Sequence, residues 1–108
     1  MPLAITAMPT ITVSSGGTTS NAIRQFDDAW ALTMYCGTTF TSTSVRVTVE
    51  HTDTGTAFVI LQSGGSDVTL TSGRATVFSP VPFRQIRVLT NAAEDAPLII
   101  NVTKTILT

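Results

Sequence analysis

The clearest pattern along the chain is the strict alternation of apolar and polar residues from position 45 to 50, Val-Arg-Val-Thr-Val-Glu. Successive side chains of a β-strand point to opposite faces, so the pattern predicts a strand with its three valines facing a core. Arg46, Thr48 and Glu50 are then expected on a face that is solvated or contacts a partner.

The same rhythm of short strands and turns continues to the end of the chain. Turn residues at 51–55 lead into the apolar run 57–62, which predicts a hairpin whose second strand is covered on both sides. Turns are expected at 63–66 and 72–73, and Pro80 and Pro82 are expected at a strand start or sheet edge. Further strands are predicted at 67–71, 74–79, 83–89 and 98–107, with a loop at 91–97.

The first third of the chain is less regular. A strand is predicted at 10–14, followed by the Ser-Gly-Gly-Thr-Thr-Ser segment at 15–20, whose composition is typical of a flexible linker. Two more strands are predicted at 29–36 and 38–43, joined at Gly37, with 21–28 as a loop or one helical turn.

Together these elements predict an all-β fold and a single domain. We expect one antiparallel β-sandwich, jelly-roll or Ig-like, of about seven to nine short strands. The sandwich domain is expected to span 21–108, and residues 1–20 are expected to form an extended N-terminal arm and linker.

Composition removes several functional classes. Charged residues are 12% of the 108, about half the usual share, and the net charge is -1, which disfavours binding to nucleic acid phosphates. We expect no membrane span and no secretion signal, hence folding in a cytoplasm. Cys36 is the only cysteine, which excludes an intrachain disulfide.

No set of residues specifies catalysis, a metal or a cofactor. His51 and Asp53 fall in a predicted turn, and no Gly-x-Ser-x-Gly elbow accompanies them, so an enzyme is not expected. The acidic pairs 27–28 and 94–95 lack the spaced ligands of a calcium loop. They are expected to be solvated loop charges.

Aromatic and arginine residues are the candidates for a contact surface. Trp30 and Tyr35 are five positions apart, so on one regular strand they would face opposite sides, which favours core or interface packing over a sugar platform. Arg46, Arg84 and Arg87 are expected at a subunit contact, narrowly ahead of solvated positions, since arginine forks pair well with carboxylates.

The predicted arm supplies two more candidates. Ile11 and Val13 lie on its strand, and a flexible joint at 14–20 would let that strand add to the sheet of a neighbouring subunit. Such an exchange would lock copies together at low cost.

The segments 45–50, 53–59, 81–88 and 99–103 together resemble a pattern found in small structural proteins of tailed bacteriophages. The resemblance implies a noncatalytic β-sandwich that decorates or cements a capsid, located on the virion. It implies the major capsid protein or other virion proteins as partners, and a homo-oligomer, with a trimer favoured. A head-to-tail, tail or fibre-anchoring component is the alternative within this class.

Carbohydrate-binding and discoidin-like sandwiches show a related alternation around 83–88, so a carbohydrate or cell-surface binding module is a second alternative. Those modules usually run longer and carry clear aromatic platforms. A surface with few charges is poorly defended against association, which favours the assembled, virion interpretation.

Overall fold

The alternating segments form antiparallel strands in the computed structural model, which describes residues 2–24, 28–38, 40–81 and 83–107. Within these ranges the chain forms strands and turns and no helix. The strands are β1 (Leu3–Ala7), β2 (Ile11–Val13), β3 (Ala29–Cys36), β4 (Val45–Glu50), β5 (Val59–Ile60), β6 (Gln62–Ser63), β7 (Ser66–Asp67), β8 (Thr69–Leu70), β9 (Ala75–Phe78), β10 (Gln85–Thr90) and β11 (Leu98–Leu107).

Sheet A is five-stranded, in the order β1-β11-β3-β9. The short strand β2 also pairs with β11, beyond the end of β1, so the two share one edge. The long strand β11 pairs with β3 from Ile100↔Cys36 to Ile106↔Ala29, and β9 completes the other edge.

Sheet B is four-stranded, in the order β10-β4-β5, with β8 pairing with β4 next to β5. On the free side of β10, the isolated bridges Thr19↔Leu89 and Ile23↔Ile86 make the segment 19–23 an irregular edge strand. Strands β5 and β8 act as one edge strand interrupted by the β6–β7 hairpin. The N–H of Val68 donates to the carbonyl of Leu61 across the base of that excursion (2.8 Å).

The connections between the sheets define a jelly roll. The chain places β1 and β2 in sheet A, 19–23 in sheet B, β3 in A, β4, β5 and β8 in B, β9 in A, β10 in B and β11 in A, with the separate β6–β7 hairpin inserted between β5 and β8. This gives two sheets with four strand positions each, which is jelly-roll connectivity. The predicted antiparallel sandwich is confirmed, and of its two forms the jelly roll is the one adopted.

Inward-facing aliphatic side chains of both sheets fill the space between them. Because the side-chain period of a strand is two, every second residue of β4, β10, β3 and β11 enters this core. The completely buried members are Ile11, Val13, Leu32, Met34, Val45, Val47, Ile86, Val88 and Ile100. The rings of Phe78 and Phe83 meet edge to face, with centroids 5.6 Å apart, and extend the core at one end.

The N-terminal third is part of the body, which corrects the expectation of a separate arm spanning 1–20. Ile11 and Val13 of β2 are 0% exposed. The following segment is tied to the body by main-chain hydrogen bonds from Gly16 to Glu94 (2.7 Å) and from Thr90 to Thr18 (2.7 Å). Gly16 has a φ of 81°, so the glycine serves a tight turn rather than a flexible joint.

Several predicted strands differ from the observed ones. Residues 57–62 do not form a strand covered on both sides, because β5 lies at the edge of sheet B with Val59 62% exposed. The predicted strand 67–71 is divided between β7 and β8. The described residues of 38–43 form no strand, and Thr39 lies outside the described residues. Residues 21–24 are extended rather than helical, while 25–27 also lie outside them.

The polar side of β4 is not solvated, because the loop 51–58 folds over the outer face of sheet B. Thr48 is 6% exposed, and its hydroxyl donates to the carbonyl of Arg87 (3.2 Å). Glu50 is buried as well and accepts hydrogen bonds from Thr52. The guanidinium of Arg87 stacks 4.0 Å from the ring centre of Phe58, a residue of this loop.

Candidate functional site

The outward-facing side chains of sheet A form a surface without a single charged residue, which we call the A face. The strand register assigns its members, because directly paired residues point to the same side of a sheet. The register places on this side Leu3, Ile5, Ala7, Thr12, Ala31, Thr33, Tyr35, Ala75, Val77, Ile99, Asn101, Thr103, Thr105 and Leu107, of which Ala31 is buried. Trp30 has no partner in the register, and we count it with the A face because it is an exposed residue at a bulge next to Ala31.

The A face gathers most of the exposed apolar surface in the part of the chain that is described. Of the nine large hydrophobic side chains that are exposed there, seven lie on this face, and the other two belong to β5. The most exposed of the seven is Ile5, at 72%. Large exposed apolar patches mark interaction surfaces in soluble proteins, so the A face is the candidate functional site.

Trp30 and Tyr35 both lie on the A face, which corrects the expectation that they point to opposite sides. The register of β3 against β11 shifts between the pairs Thr105↔Ala31 and Ile106↔Ala29, so that Trp30 is an extra residue. A bulge of this kind changes the alternation of side chains along the strand. The two aromatic residues are 51% and 43% exposed.

The spacing of the two aromatic rings does not suit a sugar platform. Their backbone positions are roughly 15 Å apart along the strand at the usual rise per residue. Thr33 lies between them on the same face. A single sugar ring cannot stack on both side chains at once.

The three candidate arginines lie on the sheet B side, away from the A face. Arg87 stacks on Phe58, and Arg84 contacts Asp53 at 3.5 Å in an exposed position. Arg46 is half-buried on β4, and its buried Nε has no hydrogen-bond partner among the described residues. Ile11 and Val13 are core residues, so of the seven candidates only Trp30 and Tyr35 lie on the A face.

Residues that the candidate set lacked make up much of the A face: Leu3, Ile5, Val77, Ile99 and Leu107. A signal for them exists in the sequence. The positions of 98–107 that alternate with the core residues include no charge, and neither do the outward positions of β1. Their clustering follows only from the pairing of β1 and β3 with β11 and of β9 with β3.

Glu94 is a buried carboxylate, in contrast to the solvated charge expected there. It is 1% exposed, and its two oxygens accept hydrogen bonds from the N–H groups of Thr41 (2.8 Å) and Ser42 (3.0 Å) and from the Ser42 hydroxyl. Burial works to raise the pKa of Glu94, but these hydrogen bonds outweigh it and hold the pKa below its ordinary value. The carboxylate joins two loops at one end of the sandwich.

The other members of the two acidic pairs, where described, are engaged in an ion pair or lie in solvent. The hydrogen bond from Lys104 Nζ to Asp28 (2.8 Å) lowers the pKa of Asp28, whereas Asp27 lies outside the described residues. Asp95 is exposed. Among the described residues no three His, Cys, Asp or Glu side chains are grouped to hold a metal ion.

The remaining candidates for chemistry lack the surroundings of an active site. The His51 side chain is 90% exposed, and its Nδ1 lies 3.1 Å from Glu50 rather than near a nucleophile. Cys36 is buried in the core, and burial raises the pKa of its thiol.

No helix in the described ranges has the length and apolar character needed to cross a membrane.

No protein-family model matches the chain. No curated protein matches it either. The structure is similar to a solved structure of Bacillus endospore appendages, described as a novel family of disulfide-linked pili. The TM-score is 0.53 at 17% sequence identity, over 96% of this chain and 87% of the other. The likeness shows a shared fold.

Proposed function

We propose that the protein is a noncatalytic structural subunit that works in an assembly of many copies. The observation that carries this proposal is the A face, a continuous uncharged surface with seven exposed large apolar side chains. Leaving such a surface in water is unfavourable, and covering it gains about 25 cal/mol per Å² of apolar area. The fold likeness to a protein of polymeric appendages supports the same class.

Within this class we propose a bacteriophage virion protein, located on the capsid as a decoration or cement protein. The resemblance of 45–50, 53–59, 81–88 and 99–103 to small phage structural proteins supports it. Jelly rolls are also a common architecture of viral capsid domains. Each copy would bridge neighbouring capsid subunits, so that many weak identical contacts stabilise the shell together. Head-to-tail, tail or fibre-anchoring positions are the alternative sites on the virion.

An extracellular appendage subunit is the second candidate, and the fold likeness favours it. The appendages of that structure are described as disulfide-linked. In this chain the single cysteine is buried in the core, so covalent linkage through Cys36 would require the sandwich to open. An appendage built from this chain would therefore depend on noncovalent contacts.

The virion proposal is tested by heating phage particles that carry the protein and particles that lack it. We expect genome release at lower temperature from the particles that lack it, with resistance restored by adding the purified protein. Adding back the Val77→Arg variant, altered on the A face, and the Val59→Arg variant, altered on sheet B, shows whether the A face contributes to the heat resistance of the particles. Equal heat survival of the two particle types would overturn the cement role.

The carbohydrate alternative has its own discriminating measurement. Glycan-array binding by the folded protein that disappears on Trp30→Ala would favour a sugar-binding module. Because Trp30 and Tyr35 are too far apart to stack on one sugar ring, we expect no glycan binding.

A further inference from the structure

We propose that the A face is covered by the A face of a second copy, packed sheet against sheet around a two-fold axis. The inference rests on the proposed structural function and names the partner of its principal surface. Three properties of the A face carry it: the absence of charge, the size of the surface, and the positions of the charged residues at its ends.

The absence of charge suits a contact between identical surfaces. In a two-fold contact, residues on the axis meet their own copies, so any charged residue there meets a like charge. Thr33 and Val77 are paired across neighbouring strands near the middle of the A face, and no residue of the A face is charged. We call residues paired across the strands in this way a row. The net charge of -1 adds little long-range repulsion between copies.

The size of the A face fits a stable two-fold contact. The strands of sheet A differ in length, with ten residues in β11, eight in β3, five in β1, three in β2 and four in β9. At a rise of about 3.4 Å per residue and a spacing of about 4.8 Å between strands, their projected area is roughly 500 Å². The accessible surface is larger because the side chains are corrugated. A standard interface buries about 800 Å² on each partner, so an aligned sheet-on-sheet contact that covers the whole A face lies near the lower end of the usual range.

The charged residues at the ends of the A face favour one orientation of the two copies. Asp28 precedes β3 at the Trp30 end, where its carboxylate also pairs with Lys104 of the same copy, and Arg74 precedes β9 at the Tyr35 end. Asp28 and Arg74 are both exposed. A two-fold axis that lies in the plane of the contact and runs across the strands places the Asp28 end of one copy over the Arg74 end of the other. Opposite charges then meet at both rims. An axis along the strands would place like charges together.

This arrangement makes the middle row the axis of the dimer. Thr33 is opposite Thr103 on one side and Val77 on the other, so Thr33 and Val77 would each lie close to their own copies. The contact is a dimer, which departs from the trimer implied by the resemblance to phage proteins. A capsid would then be contacted through other surfaces of the same subunit.

The test is the molar mass of the full chain by light scattering, together with two matched variants. Val77 on the A face is 60% exposed, and Val59 on sheet B is 62% exposed. We expect a dimer for the unmodified protein, at least about a hundredfold weaker dimerisation for Val77→Arg, and an unchanged dimer for Val59→Arg. Ile5→Arg serves as a second A-face variant if circular dichroism shows that Val77→Arg does not fold.

A crosslinking measurement locates the axis. Because Cys36 is buried, the cysteine in a Thr33→Cys variant is the accessible thiol, and a short bismaleimide should join two copies of that variant. Ser63→Cys on the β6–β7 hairpin is the control that should not crosslink efficiently. A dimer that persists in both Val77→Arg and Ile5→Arg would overturn the A-face contact, and so would crosslinking through Ser63→Cys alone. Either result would show that the copies associate through another surface.

A protein that stays monomeric up to about 1 mM would overturn the two-fold contact, since that concentration detects even very weak association. The decoration role is judged separately by the heat survival of particles. The two proposals can therefore fail independently.

Discussion

At the scale of single residues, two buried carboxylates do more for the fold than the exposed charges. Glu94 holds the 41–42 loop against the 91–95 loop, and Glu50 accepts hydrogen bonds that shape the turn after β4. In both, burial works to raise the pKa, and the hydrogen bonds received more than compensate. Such groups must stay ionised for the folded state to keep its full stability.

Glu94→Gln is expected to destabilise the protein at neutral pH by about 1–3 kcal/mol, because the amide turns a donor toward N–H groups that need an acceptor. The folded-state pKa of Glu94 lies below the ordinary 4.5. Its contribution is therefore complete above pH 4.5 and is lost as the pH falls through the lower folded-state value.

The measurement is urea unfolding of both proteins at pH 7 and at pH 3. The stability difference between them should shrink at the lower pH. Asp95→Asn, next to Glu94 in sequence but exposed, is the control and should show no comparable loss. A difference independent of pH would mean that the carboxylate charge does not matter.

Gly55→Ala is expected to destabilise the 51–58 loop by about 1–3 kcal/mol through overpacking. A Cβ at this position would lie 2.6 Å from the Glu50 side chain and 2.6 Å from Thr52 Oγ1. Gly37→Ala is the matched control, since a Cβ there meets nothing within 4 Å. Thermal melts of the two variants should differ clearly, and equal melting temperatures would contradict the close packing around Gly55.

At the scale of elements, the two N-terminal strands contribute differently although both pair with β11. β1 exposes most of its side chains and is held mainly by main-chain hydrogen bonds along the sheet edge. β2 places two completely buried residues in the core. We therefore expect folding to depend on the buried strand β2 and not on the exposed edge strand β1.

Deleting residues 1–8 is expected to leave a folded sandwich, whereas deleting residues 1–20 should prevent stable folding. The longer deletion removes Ile11 and Val13, and Ile11→Ala alone should cost about 2–5 kcal/mol. Circular dichroism and urea unfolding of the deletion variants and Ile11→Ala make the comparison. A stable fold after removal of 1–20 would restore the idea of a separate arm.

At the scale of the whole molecule, the two outer faces of the sandwich have opposite character. The outer face of sheet B carries Arg46, Glu50 and Arg87 and is partly covered by the chain's own 51–58 loop. The A face carries no charge and has no such cover in the described residues. This asymmetry is typical of a subunit that turns one side to a partner.

Association through the A face is expected to be insensitive to salt, because apolar contact rather than ion pairing drives it. Raising NaCl from about 0.05 to 0.5 M screens exposed charges strongly but leaves apolar burial intact. Sedimentation or light scattering over this range should show a dissociation constant that changes by less than about threefold. A marked weakening at high salt would indicate that the rim charges dominate.

Local pattern was enough to predict much of the secondary structure. The ranges 29–36 and 98–107 coincide with β3 and β11, and the valines of 45–50 face the core as their alternation predicts. The local pattern was insufficient where a flexible linker and an ordered turn have the same composition. The Gly/Ser/Thr stretch after β2 resembles a linker, yet Gly16 forms a turn bonded to the body.

The amino-acid sequence by itself determined the all-β class, the antiparallel sandwich and the scarcity of charge, because side-chain period and composition are local properties. Only the tertiary structure decided the jelly-roll order, the burial of Ile11, Val13 and Glu94, and the A face. These features depend on the pairing and packing of strands that are far apart in the sequence. The bulge that turns Trp30 to the same side as Tyr35 arises from the pairing of β3 with β11, which no single strand encodes.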